Sequence, residues 1–300
     1  MKFSIITPTF NSERYLGETI ESVLSQKGDF EIEHIIVDNW SQDNTIDIVK
    51  HYQRLITRDE YRPLCNKVEI LYYQERDSSM YDAINLGFSK ASGDIFAWIN
   101  SDDIYLPGAF SIIIRSLQRY PEIQWIKGIT SYIDEWSSIY EVGNCLLYDQ
   151  DWIRQGMYGR DTYFIQQDSV FWQSKLWKTV GGIDGRFKKA GDYYLWMQFS
   201  RYAPLYSVRA YLSCFRKVKG QISQDLDSYR KEIDSLQSTN ADRFLRRKIG
   251  FYFGLKDRYI PRILHKPLYA LLFRKQKLFL IDTVPDGEPK LSWISYYVAD

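Results

Sequence analysis

The feature that most limits what this chain can fold into is a repeated alternation of apolar strand and amphipathic helix. Phe3–Ile6, Ile32–Val37, Val68–Tyr73 and Ile95–Ile99 read as buried strands. Between them, Leu16, Ile20, Val23 and Leu24 fall at helical spacing, Thr45–Tyr52 continues the pattern, and Ser79–Lys90 turns Ile84, Phe88 and the following Ala91 inward. Asn11 or Ser12 can cap the first helix. A rhythm of about 30 residues per strand and helix predicts an α/β fold with a parallel sheet and right-handed crossovers. In such a sheet the strands point one way, and each here ends in polar residues: Thr7 and Thr9, Asp38, Asp77, Asp102 and Asp103. Those groups should meet at one sheet edge, which is where open α/β sheets bind ligands.

Asp102 and Asp103 end the stretch Gly93-Asp94-Ile95-Phe96-Ala97-Trp98-Ile99-Asn100-Ser101-Asp102-Asp103. Adjacent carboxylates at a buried strand end repel each other and gain nothing from burial. A hard divalent cation shared with a phosphate resolves the conflict. The plainer alternative is a polar turn in which Asp103 caps the helix that follows Leu106-Pro107-Gly108.

Further along, Ala109–Tyr120 reads as a helix, Gln124–Thr130 as a strand and Tyr132–Val142 as a hairpin or loop over the sheet. Asp192–Tyr202 reads as a helix with Leu195, Trp196 and Phe199 as its buried stripe, and Tyr206–Arg216 alternates as a strand. After Gly220 the rhythm stops. With 45% hydrophobic and 26% charged residues, the chain is globular. A net charge of +1 gives no bulk attraction to nucleic acid. Cys65, Cys145 and Cys214 lie far apart without C-x-x-C spacing, which argues against a disulfide framework or zinc site and for a reducing cytosol. His34, His51 and His265 suggest no histidine-based metal site. The opening residues do not read as a signal peptide, and no stretch reaches the roughly 18 apolar residues of a spanning helix.

Five segments, in order, resemble the family 2 glycosyltransferases with the GT-A fold, over about residues 1–220. They are Ser4–Asn11; Ile35–Thr45, which resembles a base-reading V-V-D-x-x-S-x-D-x-T loop; Arg76–Gly87, similar to D-x-G-x-Y-D-A-x-N-x-G; Gly93–Asp103, ending in a D-x-D-type motif; and Gly181–Asp184 with Ala190–Trp196. The resemblance implies a Rossmann-like, mostly parallel sheet flanked by helices, with a C-terminal helical appendage. Residues 1–103 would bind the sugar nucleotide, 104–220 the acceptor, and 221–300 would form a basic, mainly helical extension.

The implied reaction is inverting transfer of a sugar from a nucleoside diphosphate sugar, a UDP-sugar as first expectation, to a hydroxyl of a glycan or lipid-linked glycan in surface polysaccharide synthesis. Thr7, Pro8, Thr9, Asn11, Asp38, Asn39, Asp77, Asp82, Asn85 and Asp102 are the implied sugar-nucleotide contacts. Asp103, with Asp102, would hold Mn²⁺ or Mg²⁺, and Asp192 would be the general base. Asp168 is the second candidate base or an acceptor contact, and Gln167, Trp172 and Trp196 are assigned to the acceptor side. Three positions depart from the family pattern. Asn39 replaces a second acid and weakens a uracil assignment. Ser79 replaces a glycine. No late histidine occurs in Phe215–Ser223, so Arg216, Lys219 or Gln221 would meet the diphosphate instead.

From 243 to 277 the basic residues, Arg243, Arg246, Arg247, Lys248 and others, are interleaved with Phe244, Leu245, Phe251 and Leu272. That pattern suits an anionic membrane surface and a peripheral place on the inner face of the plasma membrane. It equally suits a helical appendage packed on the catalytic domain. Two other functions are weighed: a nucleotidyltransferase, which would want a Gly-rich basic loop where Thr7-Pro8-Thr9-Phe10-Asn11 stands, and a non-catalytic sugar-nucleotide or glycan-binding module.

Overall fold

The structure is a computed structural model that describes residues 1–159, 162–218, 225–236, 244, 247–248, 250–252, 254, 261–264, 267–268, 277–283 and 287–294. The first half runs β1 (Lys2–Thr9), α1 (Leu16–Leu24), β2 (Gly28–Asp38), α2 (Thr45–Thr57), β3 (Cys65–Gln74), α3 (Met80–Lys90), β4 (Ile95–Trp98), β5 (Ile104–Tyr105) and α4 (Ala109–Arg119). The second runs β6 (Trp125–Ile133), β7 (Ile139–Val142), α5 (Gln150–Arg154), β8 (Val170–Gln173), α6 (Ser174–Val180), α7 (Gly191–Phe199), β9 (Tyr206–Arg216), α8 (Leu226–Ser235), β10 (Leu278–Asp282) and β11 (Lys290–Ile294).

The strands form one sheet in the order β11-β10-β9-β6-β8-β4-β1-β2-β3, with β5 on β9 and β7 on β6. β3, β2, β1 and β4 are parallel. β8 runs against both β4 and β6, so β6 points the same way as β4, and β9 is parallel to β6. The carboxyl ends of β1, β2, β3, β4, β6 and β9 and the start of β8 therefore share one edge. The β6–β7 hairpin matches the expected hairpin over 132–142.

Strand alternation divides the core between the two faces. Ile5, Ile95, Ala97 and Ile99 face one helical layer, with Phe3, Phe110 and Phe171, while Ile6, Phe96 and Trp98 face the other, with Tyr81, Trp172 and Trp196. Such aliphatic and aromatic side chains contribute about 1.5–3 kcal/mol each on burial. Gly87 allows α3 to lie directly on β1, because a Cβ there would come within 2.5 Å of the Ile6 side chain.

The part after residue 220 is less separate, and less helical, than the sequence rhythm suggests. α8 is present, but β10 pairs parallel with β9 and β11 pairs with β10, so 278–294 completes the sheet. Leu280 and Ile281 enter the two faces of the core. Most of the basic stretch 243–277 lies outside the described residues.

Candidate active site

The nucleotide half of the edge is built by loops that hydrogen-bond to one another. Thr7 is buried, with its hydroxyl 2.8 Å from His34 Nε2. Burial pushes the His34 imidazole down to about 3, so it is neutral. Pro8 is buried. Thr9 donates to Asp38 Oδ1 at 3.0 Å. Asp38 is fully buried and also accepts from the Ser41 amide at 2.9 Å, the Ser41 hydroxyl at 2.5 Å and the Tyr72 hydroxyl at 3.3 Å. Asn11 caps the same turn, its Oδ1 accepting from the Gln42 amide at 2.9 Å. Thr7, Thr9 and Asp38, expected to read base and ribose, are occupied in shaping the loops.

What remains exposed beside them was not singled out from sequence. Phe10 is 60% exposed and Trp40 48%, immediately beyond the paired residues Thr9 and Asp38. Trp40 has φ of 56°, a left-handed conformation rare for a bulky side chain, and the Arg76 guanidinium lies 5.9 Å from its ring centre. Asn39 is half-buried, and its Oδ1 accepts from the Asp77 amide at 3.3 Å. Burial, with Asp82 and Asp38 nearby, pushes Asp77 up to about 6.

At the start of α3, Asp82 accepts from the Ser78 hydroxyl at 2.6 Å and lies 3.6 Å from Lys188 Nζ. Asn85 is not available to a nucleotide. Its Nδ2 donates to the Ile183 carbonyl at 2.7 Å and its Oδ1 accepts the Ile183 amide at 3.0 Å, fastening α3 to the Gly181–Ile183 turn.

The two adjacent acids differ sharply. Asp102 is half-buried, whereas Asp103 is fully buried and accepts the Arg216 backbone amide at 2.8 Å. Burial, with Asp102 and Asp168 close by, pushes Asp103 well above the usual carboxylate range. Of the two acids expected to hold the metal, Asp102 keeps partial exposure, whereas Asp103 is closed off from solvent. Asp103 does not cap the next helix either, because Gly108 stands at that position. Arg216 does not point at a diphosphate. Its side chain is fully buried, donating to the Asp102 carbonyl at 2.7 Å, the Asp134 carbonyl at 3.1 Å and the Ser137 hydroxyl at 2.8 Å, and pairing with Glu18 at 2.8 Å. Lys219 and Gln221 lie outside the described residues.

Among the described residues, no group of three His, Cys, Asp or Glu side chains could hold a metal. The oxygen donors at this strand end are the Ser12 and Ser101 hydroxyls, which lie 2.8 Å apart, and the carboxylate of the half-buried Asp102, the residue after Ser101. That set fits a hard cation whose shell is completed by substrate oxygens and water.

On the acceptor side, Asp168 is fully buried, receives the Ser213 hydroxyl and sits near Lys127, and burial raises its carboxyl. It faces the interior, which removes it as a base. Trp172 and Trp196 are core residues: Trp196 stacks on Trp98 with centroids 5.6 Å apart and planes 5° apart, and Trp172 packs edge-on to both. Neither reaches an acceptor, since the apolar period of β8 and α7 turns them inward. Gln167 is half-buried at the edge, and neither end of its amide has a hydrogen-bond partner.

Asp192 stands in the first turn of α7, half-buried. Its Oδ1 accepts the Tyr193 amide at 2.8 Å and the Tyr81 hydroxyl at 3.3 Å. Burial pushes its carboxyl up to about 6 despite those donors. A carboxylate there can be ionised at neutral pH and still hold a proton well enough to take one from a hydroxyl.

The sequence profile described as Glycosyl transferase family 2 matches residues 4–175, more than half of the chain. An uncharacterized glycosyltransferase of Rickettsia typhi is 24% identical over 278 residues, covering 91% of this chain and 80% of its own length. One from Rickettsia prowazekii is 27% identical over 209 residues, and there the match covers only 60% of the relative. Among solved structures, Staphylococcus aureus TarS 1–349 in complex with UDP-GlcNAc superposes with a TM-score of 0.58 at 16% identity, over 91% of this chain and 79% of that one. The Pyrobaculum calidifontis mannosyltransferase PcManGT, in complex with GDP-Man and Mn²⁺, gives a TM-score of 0.51 at 13% identity, over 90% and 68%. With its segments in order on a mostly parallel sheet of the GT-A type, this chain belongs to glycosyl transferase family 2 and is a glycosyltransferase.

Proposed function

We propose that the enzyme transfers a sugar, with inversion, from a nucleoside diphosphate sugar to a hydroxyl of a glycan or lipid-linked glycan. The observation that carries this reading is the pairing, at one sheet edge, of a partly exposed strand-end acid, Asp102, with a half-buried acid raised to about 6, Asp192. Phe10, Asn39 and Trp40 offer an aromatic and amide surface to the base. Asp102 would hold Mn²⁺ or Mg²⁺ against the diphosphate, and that ion would neutralise charge building on the leaving group. Asp192 takes the acceptor hydroxyl's proton as its oxygen bonds to the anomeric carbon; the bond from that carbon to the diphosphate breaks, and the diphosphate departs with the electron pair. Gln167 borders the acceptor's approach.

UDP is the first donor to test, since the TarS structures were solved with UDP and UDP-GlcNAc, and the TarS name specifies transfer to poly(ribitol phosphate). A surface-polysaccharide acceptor on the cytoplasmic face of the membrane fits that likeness, the unpaired cysteines and the basic stretch 243–277. Flotation with anionic against neutral vesicles tests the membrane part. No helix among the described residues is long and apolar enough to cross a membrane. The decisive experiment is thermal stability against UDP, GDP, CDP and dTDP and their sugars, with and without Mn²⁺. A Mn²⁺-dependent rise with one nucleotide, lost in Asp102→Asn, supports the reading; a folded protein that responds to none overturns it.

A further inference from the structure

The helix α8 lies beyond the segment that matches the family, at the start of what the sequence presents as an appendage. It packs on α7 through Ile233, which is fully buried against Ala190 and Tyr193. Two polar side chains of α8 then reach the approach to Asp192. The Glu232 carboxylate accepts three consecutive backbone amides: Lys188 at 3.0 Å, Lys189 at 2.9 Å and Ala190 at 2.9 Å. One turn earlier, the Tyr229 ring meets those of Tyr193 and Phe164.

We infer that Glu232 is a positioning residue for the catalytic carboxylate, so that α8 is a working part of the active site. The argument rests on where the backbone is held. Asp192 is two residues past Ala190, and α7 itself supplies its Oδ1 with only the Tyr193 amide. The loop entering α7 carries amides that no helix satisfies, and a carboxylate that collects three of them fixes the loop's path. Tyr81 braces the same loop from α3, donating to the Lys189 carbonyl at 2.8 Å while touching Asp192. Asp192 is thus held by Tyr81 from α3 and by the Tyr193 amide of its own helix, while Glu232 of α8 holds the loop that leads to it. Lys189 points elsewhere, its Nζ 3.7 Å from Asp225 at the start of α8.

This inference rests on Asp192 being the base, and the tests separate the two. In the full chain, Asp192 is followed by carbonyl ¹³C NMR against pH, amide exchange is measured for 186–194, and nucleoside diphosphate release is measured from UDP-GlcNAc, or from whichever sugar nucleotide turns over. Glu232→Gln should speed amide exchange at 188–190 by on the order of tenfold, the loss of charged hydrogen bonds, with a lower kcat and little change in donor KM. Glu232→Asp should restore part of kcat. In an Asp192→Asn background neither variant should alter turnover further. If Asp192→Asn abolishes turnover yet both α8 variants keep the wild-type titration, exchange and kcat, α8 is only packing and the inference fails. If Asp192→Asn keeps full turnover, the base assignment fails first. Should Glu232→Gln not fold, Glu232→Asp decides through amide exchange at 188–190 and kcat.

Discussion

The two ends of the site use their polar residues in opposite ways. At the ends of β1 and β2, the acids and hydroxyls that stand out in the sequence are buried and bound to one another: Thr7 to His34, Thr9 and Ser41 to Asp38. At the start of α7, Asp192 is also held, by Tyr81 and the Tyr193 amide, but it keeps partial exposure and a raised carboxyl. The difference teaches that a recurring polar residue in a binding loop can be there for the loop. In the proposed mechanism, ligand contact then falls to neighbours such as Phe10, Asn39 and Trp40, and the chemistry to acids that the loops leave partly exposed.

The largest effect should come from Asp192→Asn, which lowers turnover by roughly 10²–10⁴-fold, with nucleotide binding by calorimetry unchanged. In the wild type, the rate should rise with pH through about 6 and then level, because the base must be ionised. The stability effect has the opposite sense. A carboxyl raised on folding stabilises the folded state below its unfolded value, and that contribution is lost as pH rises through about 6. Melting at pH 7.5 should therefore show Asp192→Asn at least as stable as wild type. A variant that is both slower and less stable would blur the contrast between the two ends.

Next, Trp172→Ala should cost about 3–5 kcal/mol in chemical denaturation, the price of a core cavity, and little in donor affinity among molecules that remain folded. An acceptor role would reverse that pattern. Asp38→Ala should destabilise by roughly 1–3 kcal/mol, since it strands buried donors. Any loss of nucleotide binding should be recovered at low temperature if the residue only shapes the loop. The smallest expected effect is the most informative about the paired acids. Asp103→Asn should cost on the order of 1 kcal/mol and leave Mn²⁺-dependent binding in place, while Asp102→Asn removes it. Equal losses in both would restore Asp103 as a ligand.

The parallel sheet and its shared polar edge were legible because they depend on strand period and on residue types at strand ends. The different burial of Asp102 and Asp103 was not, since neighbours on a turn differ by which way the chain faces, and Arg216, whose amide donates to Asp103, is 113 residues away. Trp172 was misread for a related reason, and Trp196 was read both as a buried stripe residue and as an acceptor contact: aromatic residues serve cores and sugar sites alike, and the packing of both on Trp98 shows which. The role of Glu232 left no local signal, because it acts across about 40 residues of chain on backbone amides, which carry no side-chain signature.

The pairing of β10 with β9 sets a limit on how the chain can be divided. A protein cut after residue 220, where the sequence rhythm ends, would keep every segment of the family pattern. It would also bare the edge of β9 over Tyr206–Arg209, opening those backbone groups and the Tyr206 ring, which stacks on Phe279, to solvent and to other chains. Such a fragment should associate with itself, so the shortest autonomous unit of this enzyme is longer than the pattern by which its family is recognised.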